Sequence, residues 1–185
     1  KIGTLFQVQT TPILIYSFVS LQTVAFYGNY TMITRNLEVL LSNFLGSTSA
    51  GVGNLIAEGD KQKILKVYWE LTTLRLFVST IFCYAIYKLL PSFITLWVGA
   101  DYLLSPSVLY LLLAIFFLTI NRGTTDQFIN GCGLFYDIWA PLAESAIYIV
   151  VALIGGALYG LPGILWGNII SVLVIVYCWK PYFLF

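Results

Sequence analysis

The chain has 185 residues, of which 59% are hydrophobic and 9% are charged, and its formal net charge at pH 7 is +1. A soluble globular domain carries charge on about a quarter of its residues, so this composition excludes that class. The small net charge also gives no reason to expect nucleic acid as a partner. The mean hydropathy of +0.90 and the load of 13 Phe, 13 Tyr and 5 Trp predict instead an all-α integral membrane protein with several spans.

The apolar stretches of the chain predict a bundle of about six transmembrane helices. A bilayer core of about 30 Å needs about 20 residues of helix, and Gly or Pro residues separate stretches of about that length. Residues 92–99 are expected to form a short segment at the membrane interface, after a helix that ends before Pro91. The predicted spans are residues 4–26, 29–57, 63–90, 104–130, 137–158 and 162–180 of a single lobe, residues 1–185.

The lysines predict the orientation of the chain in the membrane. Lys61, Lys63 and Lys66 lie in one loop, and an even number of spans places Lys1 and Lys180 on the same side as that loop. The positive-inside rule then puts the loop and both chain ends in the cytoplasm. The chain starts at a residue other than Met and stops directly after an apolar run, so we expect it to be a piece of a longer protein.

A polar stripe follows one face of the second predicted span. Its members recur at intervals of three or four residues, which is the spacing of one helix face. Because the neighbouring segments are more apolar still, we expect this face to line a protein interior or a watery cavity and the opposite face to contact lipid. The stripe contains Thr31, Arg35, Glu38, Ser42, Gly46, Ser49 and Gly53, and the apolar face contains Ile33, Leu37, Leu40, Leu41, Phe44, Val52 and Leu55.

Ionisable residues inside the predicted spans are candidates for function, because a charge in lipid is costly unless it is used or paired. Arg35 and Glu38 share the polar stripe, and Arg122 and Asp126 lie one turn apart on the fourth span. Either pair could serve a substrate or could be an intrahelical ion pair. Glu144 has no opposite charge on its own helix, which suits a proton-coupled carboxylate, although a cross-helix partner such as Arg122 would satisfy it equally.

Other charged and small residues have structural interpretations. Glu70 and Arg75 are expected at the cytoplasmic interface, and Asp137 is expected at a helix N-terminus, where the helix dipole favours a carboxylate. Two Gly-x-x-x-Gly pairs, at 156–160 and 163–167, predict close approach between helices, which is common in any membrane bundle.

No catalytic constellation emerges from the sequence. Histidine is absent, which removes the commonest acid–base group and metal ligand. Cys83, Cys132 and Cys178 stand singly in apolar runs without the spacing of a metal site. Paired carboxylates with a division into acid and base are also absent. The sequence therefore predicts no enzyme, no metal and no cofactor, and a transporter fits it better.

Four segments of the chain, in this order and spacing, carry a family resemblance. They are Tyr-Gly-Asn-Tyr at 27–30, Gly-Val-Gly-Asn-Leu-Ile-Ala-Glu-Gly-Asp at 51–60, Phe-Ile-Thr-Leu-Trp-Val-Gly at 93–99 before Asp101-Tyr102, and residues 121–133, which end in Gly-Cys-Gly. In these segments the chain resembles the polysaccharide flippases (Wzx-like flippases of O-antigen and capsule repeat units) of the MOP exporter superfamily. This superfamily also holds the MATE drug exporters and the lipid II flippases.

The resemblance implies a fold, a location and an activity. Such flippases have two six-helix lobes in the bacterial inner membrane, and this chain resembles the C-terminal lobe, with the first lobe of the same chain as its partner. They move lipid-linked oligosaccharides, carried on polyprenyl diphosphate, across the membrane for the biosynthesis of lipopolysaccharide or capsule. Transport proceeds by alternating access between the lobes. Membrane lipids and the glycan polymerase machinery are the further partners implied.

The resemblance also suggests roles for particular residues. Arg35 and Arg122 would bind the diphosphate, because a guanidinium binds phosphate oxygens bidentately, and Ser42 would line the same cavity. Glu38 and Asp126 would balance those charges within the cavity, and together with Glu144 they are the candidates for coupling transport to an ion gradient.

Two other functions fit the sequence less well. A MATE-like, cation-coupled multidrug exporter would have an acidic and aromatic cavity, whereas here arginines match the carboxylates. A membrane enzyme of glycan assembly, such as a polymerase, would need a large extracytoplasmic loop, and no predicted loop exceeds about a dozen residues. A purely structural scaffold would not need charges along its helix faces.

Overall fold

The computed structural model describes residues 2–133 and 139–180, with side chains from residue 9 onward. This part of the chain is helical and contains no strand. The final helix changes from α-helical to π-helical winding without a break, and a single turn of 3₁₀ helix, Ala100–Tyr102, lies before the fifth helix. The helices are α1 (Ile2–Phe18), α2 (Leu21–Gly46), α3 (Ser49–Glu58), α4 (Lys61–Trp97), α5 (Pro106–Gly131), α6 (Trp139–Tyr159), α7 (Leu161–Val172) and its π-helical continuation (Leu173–Trp179).

Four helices in the described residues are long and apolar enough to cross a membrane. They are Lys61–Trp97, Pro106–Gly131, Trp139–Tyr159 and Leu161–Trp179. The chain therefore has the helices of a multi-pass, all-α membrane protein, as its composition predicted. The count of six spans and the cytoplasmic placement of the chain ends stay predictions.

The first helix boundary lies earlier than predicted. The break falls at residues 19–20, inside the predicted first span of 4–26, and Gly28 lies within α2 instead of preceding it. Ser20 sets this boundary by adopting an extended backbone, and its hydroxyl accepts a hydrogen bond from the Thr23 N–H at 3.1 Å. This N-cap satisfies a backbone donor that the helix itself leaves without a partner.

Helix α4 passes through Pro91, although the sequence predicted that a helix would end there and that 92–99 would form a separate interfacial segment. The helix continues to Trp97 because residues on both sides of the proline pack into the same core. Leu90 is 3% exposed and Ile94 is 0% exposed. A long membrane helix tolerates the missing N–H of proline when its packing holds the backbone on each side.

Helices α6 and α7 form the closest helix pair. The chain reverses at Gly160, whose positive φ of 62° suits glycine. A Cβ added to Gly155 would lie 2.6 Å from the Gly163 carbonyl oxygen, and one added to Gly167 would lie 2.9 Å from the Ala152 nitrogen. The predicted close approach is confirmed at 156, 163 and 167, since a Cβ on Gly156 would lie 3.0 Å from the Ile164 side chain. Gly160 makes the turn instead, and Gly155 adds a backbone contact that was not predicted.

Helix α5 lies at the centre of the described bundle, where it contacts α2, α3, α4 and α7. The main apolar core surrounds its first half and includes Phe116 and Ile120, both 0% exposed. Its second half carries the charged residues described next. The core thus fixes the helix that carries the buried polar residues Asn121, Thr124 and Thr125.

Candidate functional site

The polar stripe of α2 and α3 lies on the surface of this lobe. Leu41, Val52 and Leu55, from the apolar face, are buried, whereas Arg35 and Ser42, from the polar face, are exposed. Leu40 and Phe44, also from the predicted apolar face, are 59% and 71% exposed, so that face is packed only in part. For its buried residues the orientation is the reverse of the prediction, in which the apolar face contacted lipid and the polar face lay inside. The reason is that α2 and α3 pack on α5, and an apolar face is the one that stabilises such packing.

Arg35 and Glu38 are next to each other on this stripe but do not bond. Neither side chain makes an ion pair or a hydrogen bond with any residue that the structure describes. Arg35 is exposed, and Glu38 is half-buried. The alternative of an intrahelical ion pair is therefore absent, and the guanidinium of Arg35 has its donors free toward the outside of the lobe.

The charged residues of a second group form ion pairs with one another. The Nη1 and Nη2 atoms of Arg122 donate to the two carboxylate oxygens of Glu144 at 3.0 and 3.3 Å, and its Nε donates to Asp126 at 3.3 Å. Lys180, from the end of the π-helical segment, donates to the other oxygen of Asp126. Two cations and two carboxylates thus join α5, α6 and the last helix, and we term these four residues the charge cluster.

Three of the four members of the charge cluster are shielded from solvent, whereas the side chain of Asp126 is 34% exposed. The side chain of Glu144 is 6% exposed and that of Arg122 is 18% exposed. Glu144 thus pairs with Arg122 across two helices, which was one of the two alternatives predicted for it from the sequence. Because the guanidinium of Arg122 is engaged by two carboxylates, it would have to give up those bonds before it could bind a phosphate.

Arg75 lies in the interior of the described bundle, and its predicted place at the cytoplasmic interface stays a prediction. The residue is 4% exposed, and its guanidinium donates to the backbone carbonyl of Ile120 at 3.1 Å and to that of Leu45 at 3.4 Å. Gly123 leaves the space for it, because a Cβ at that position would overlap the guanidinium. Glu70, by contrast, is exposed and faces Lys66 across 4.0 Å. No local pattern marks Arg75 as buried, since its partners are carbonyls of two other helices.

The described residues contain no group of three or more His, Cys, Asp or Glu side chains that could hold a metal ion. Cys83 is half-buried, and its thiol donates to the Leu113 carbonyl at 3.6 Å, while Cys132 and Cys178 are exposed. Asp137 lies outside the described residues. The charged candidates thus fall into two groups: an open stripe with Arg35, Glu38 and Ser42, and the closed charge cluster.

Comparison of the chain with models of protein families, with curated proteins and with solved structures finds no match. A functional proposal for this chain therefore depends on its sequence and on the geometry above.

Proposed function

We propose that this chain is one lobe of a flippase that moves polyprenyl-diphosphate-linked oligosaccharides across the bacterial inner membrane. The observation that carries the proposal is the exposed, unpaired guanidinium of Arg35 on a helix flank of an otherwise apolar membrane protein. The four candidate spans do not include α2, and its place in the membrane is the span predicted from sequence over residues 29–57; there, a charge is costly unless it faces water or an anion. The resemblance of four sequence segments to the polysaccharide flippases supports the same activity.

The position of the stripe fits a cavity between two lobes. Met32 and Val39 lie further round α2 from the buried face, and at 58% and 59% exposed they suit contact with lipid. Arg35 and Ser42 lie between that apolar surface and the packed face, on the flank of the helix. A second lobe set against this flank would enclose the stripe in a polar cleft that remains open to lipid along its edge.

Such a cleft matches the chemistry of the cargo. The diphosphate and sugars need donors and water, and the polyprenyl tail needs lipid. Arg35 can bind phosphate oxygens with two parallel N–H groups, and Glu38, one turn away on the same flank, would limit how tightly the anion is held. In this proposal Arg35 is the head-group contact, while the charge cluster of Arg122, Asp126, Glu144 and Lys180 keeps α5, α6 and the last helix in one rigid body.

The rigid body is what alternating access requires. Transport by rocking needs each lobe to move as a unit around a fixed binding site. In the exporter alternative, a drug cation would need an unpaired acidic residue. Asp126 and Glu144 are both paired to cations, so among the half-buried or buried carboxylates described, Glu38 alone could serve. A stripe with one arginine per carboxylate favours an anionic cargo.

Genetic complementation tests the proposal. The complete protein that contains this lobe is expressed in a bacterium that lacks its own repeat-unit flippase, and surface glycan is measured. We expect the wild type to restore glycan and Arg35→Ala to reduce it at least about tenfold, since a charge-assisted bond to phosphate contributes about 1.5–3 kcal/mol. Lys88→Ala is the matched control, because Lys88 is another exposed cation, on α4, away from the stripe.

The amount of each variant in the membrane is compared by immunoblot, so that a loss of activity can be distinguished from a loss of protein. If Arg35→Ala restores surface glycan as fully as Lys88→Ala does, Arg35 has no role in binding the cargo. If the wild type fails with every glycan tried but lowers the accumulation of a cationic dye, the exporter alternative replaces the flippase.

A further inference from the structure

Helix α3 belongs to a small apolar cluster that is separate from the main core. Val52 packs with Tyr68 of α4 and Phe128 of α5, and the two rings meet edge to face with centroids 5.2 Å apart. The main core lies on the other side of Arg75, in the second half of α4 and the first half of α5. Helix α3 is held by the apolar side chains of Val52, Leu55 and Ile56 on one face, outside the main core, and segments outside the main core open at lower free energy.

A bend separates α2 from α3, and the buried Leu45 carbonyl next to it is held by other helices. Ser47 and Thr48 interrupt the helix while keeping nearly helical backbone angles. The Leu45 carbonyl there accepts a hydrogen bond from the Thr48 hydroxyl at 3.0 Å and from Gln127 Nε2 at 3.2 Å. Arg75 Nη2 also donates to it at 3.4 Å. The bend is thus tied to α4 and α5 through one backbone oxygen.

Gln127 connects the two sides of the bend. Besides the Leu45 carbonyl, its Nε2 lies 3.0 Å from the Ser49 hydroxyl and 3.4 Å from that of Thr48. One amide group therefore binds the last turn of α2 and the first turn of α3 together. Helix α5 holds the α2–α3 junction through this side chain.

The polar layer around Gln127 is not fully satisfied within the described residues. The side-chain oxygens Asn121 Oδ1, Thr124 Oγ1 and Gln127 Oε1 are buried there without a hydrogen-bond partner. A buried acceptor without a partner costs free energy. Of the three, Gln127 Oε1 belongs to the side chain that binds the α2–α3 junction, whereas Asn121 bonds through its Nδ2 to Ser79 of α4.

The far end of α3 has a second joint. Gly59 ends the helix with a φ of 77°, a left-handed conformation that glycine adopts without strain. The helix between the two joints has 10 residues, Ser49–Glu58. Ser49 and Gly53, the last members of the polar stripe, lie on the flank of α3 beside α5, where the Ser49 hydroxyl accepts from Gln127 and Gly53 Cα lies 4.0 Å from a Cβ added to Gly131. Movement of α3 would therefore open or close one end of that stripe.

We propose that α3 is a gate, hinged at residues 47–48 and at Gly59 and held closed by Gln127. Opening breaks the contact of Gln127 with Ser49, which moves with α3, and separates Val52 from Phe128, while the contact of Gln127 with Leu45 of α2 remains. The motion itself is a property of this lobe. Its consequence, access of a cargo to the stripe, rests on the proposed function.

Hydrogen–deuterium exchange on the purified complete protein in lipid nanodiscs tests the gate without any cargo. We expect Gln127→Ala to speed exchange of the α3 amides about tenfold, because it removes the hydrogen bonds that hold both sides of the bend. Amides of α5 in the main core, near Phe116, should exchange as in the wild type. Asn36→Ala is the matched control, since that amide bonds only to a carbonyl of its own helix, at 2.8 Å.

Two results would overturn the gate. The first is exchange in α3 that is the same in Gln127→Ala and Asn36→Ala. The second is an increase spread evenly over α3 and the core of α5, which would mean general loosening. Ser49→Ala, which removes one of the acceptors of Gln127, should give a smaller rise confined to α3. Because exchange needs no substrate, its outcome is independent of the complementation result, and either proposal can fail alone.

Discussion

Arg122→Met should lower the free energy of unfolding by about 3–5 kcal/mol, because it removes one partner of a buried ion pair and leaves the other as an uncompensated charge. Glu144 would keep a carboxylate whose side chain is only 6% exposed, without the two guanidinium bonds that now satisfy it. Asp126 would retain Lys180, so the loss should come mainly from Glu144.

Denaturant unfolding of the purified protein in detergent, followed by tryptophan fluorescence, measures this loss. Lys63→Met is the matched control, because it breaks an exposed pair with Glu58 in which the side chains are 54% and 55% exposed, and it should leave the midpoint almost unchanged. The double variant Arg122→Met with Glu144→Leu should recover most of the loss, since it leaves no buried unpaired charge at either position. Equal midpoints for Arg122→Met and Lys63→Met would show that the charge cluster does not stabilise the lobe.

Gly163→Ala should lower the free energy of unfolding by about 2–3 kcal/mol, because overpacking a tight contact forces backbone shifts. The added Cβ would overlap the backbone carbonyl of Gly155, which cannot rotate away as a side chain could. Helices α6 and α7 would have to separate, and this would also move the nearby contact of Gly167 with Ala152.

Gly28→Ala is the matched control for this substitution. Gly28 lies inside α2 with nothing within 4 Å of an added Cβ. Replacing a helical glycine by alanine there should raise stability by about 0.5–1 kcal/mol. The two glycine-to-alanine changes should therefore shift the melting temperature in opposite directions. A shift of the same sign and size in both would contradict the close packing of α6 against α7.

The fold could be predicted from sequence where the signal was local. The long apolar stretches gave helices α5 and α6–α7 close to their observed bounds, and Gly59 and Gly160 marked true helix ends because both have positive φ. Pro91 gave a false end, because its effect depends on how Leu90 and Ile94 pack against other helices. Whether a helix continues through a proline depends on tertiary packing, which the hydrophobic periodicity of the sequence does not show.

The candidate site was predicted in part for the same reason. The spacing of Arg122 and Asp126 on one helix indicated that they could pair. An ion pair between Glu144 and Arg122 was one of the two alternatives for Glu144. Lys180 could not be assigned, since it reaches Asp126 only through the π-helical winding of the last segment and across 54 positions of sequence. Arg75 binds backbone carbonyls, for which no side-chain pattern exists.

Composition alone did not predict which face of α2 is buried. High hydrophobicity made an apolar face toward lipid plausible for α2, yet Leu41 of that face packs in the described bundle, while Leu40 and Phe44 are exposed. The exposed flank with Arg35 is then a surface that only a second body could enclose. This is why the transport proposal requires a complete protein with two lobes.

The most direct test of the account is cargo movement in a defined membrane. The complete protein is reconstituted into liposomes with a fluorescent oligosaccharide on polyprenyl diphosphate, and the fraction of label that an external quencher reaches is followed over time. The account predicts that wild type and Lys88→Ala carry the inner-leaflet label outward, whereas Arg35→Ala liposomes behave like empty ones. Wild-type liposomes whose label stays as inaccessible as in protein-free liposomes, while the protein is folded and inserted, would contradict it.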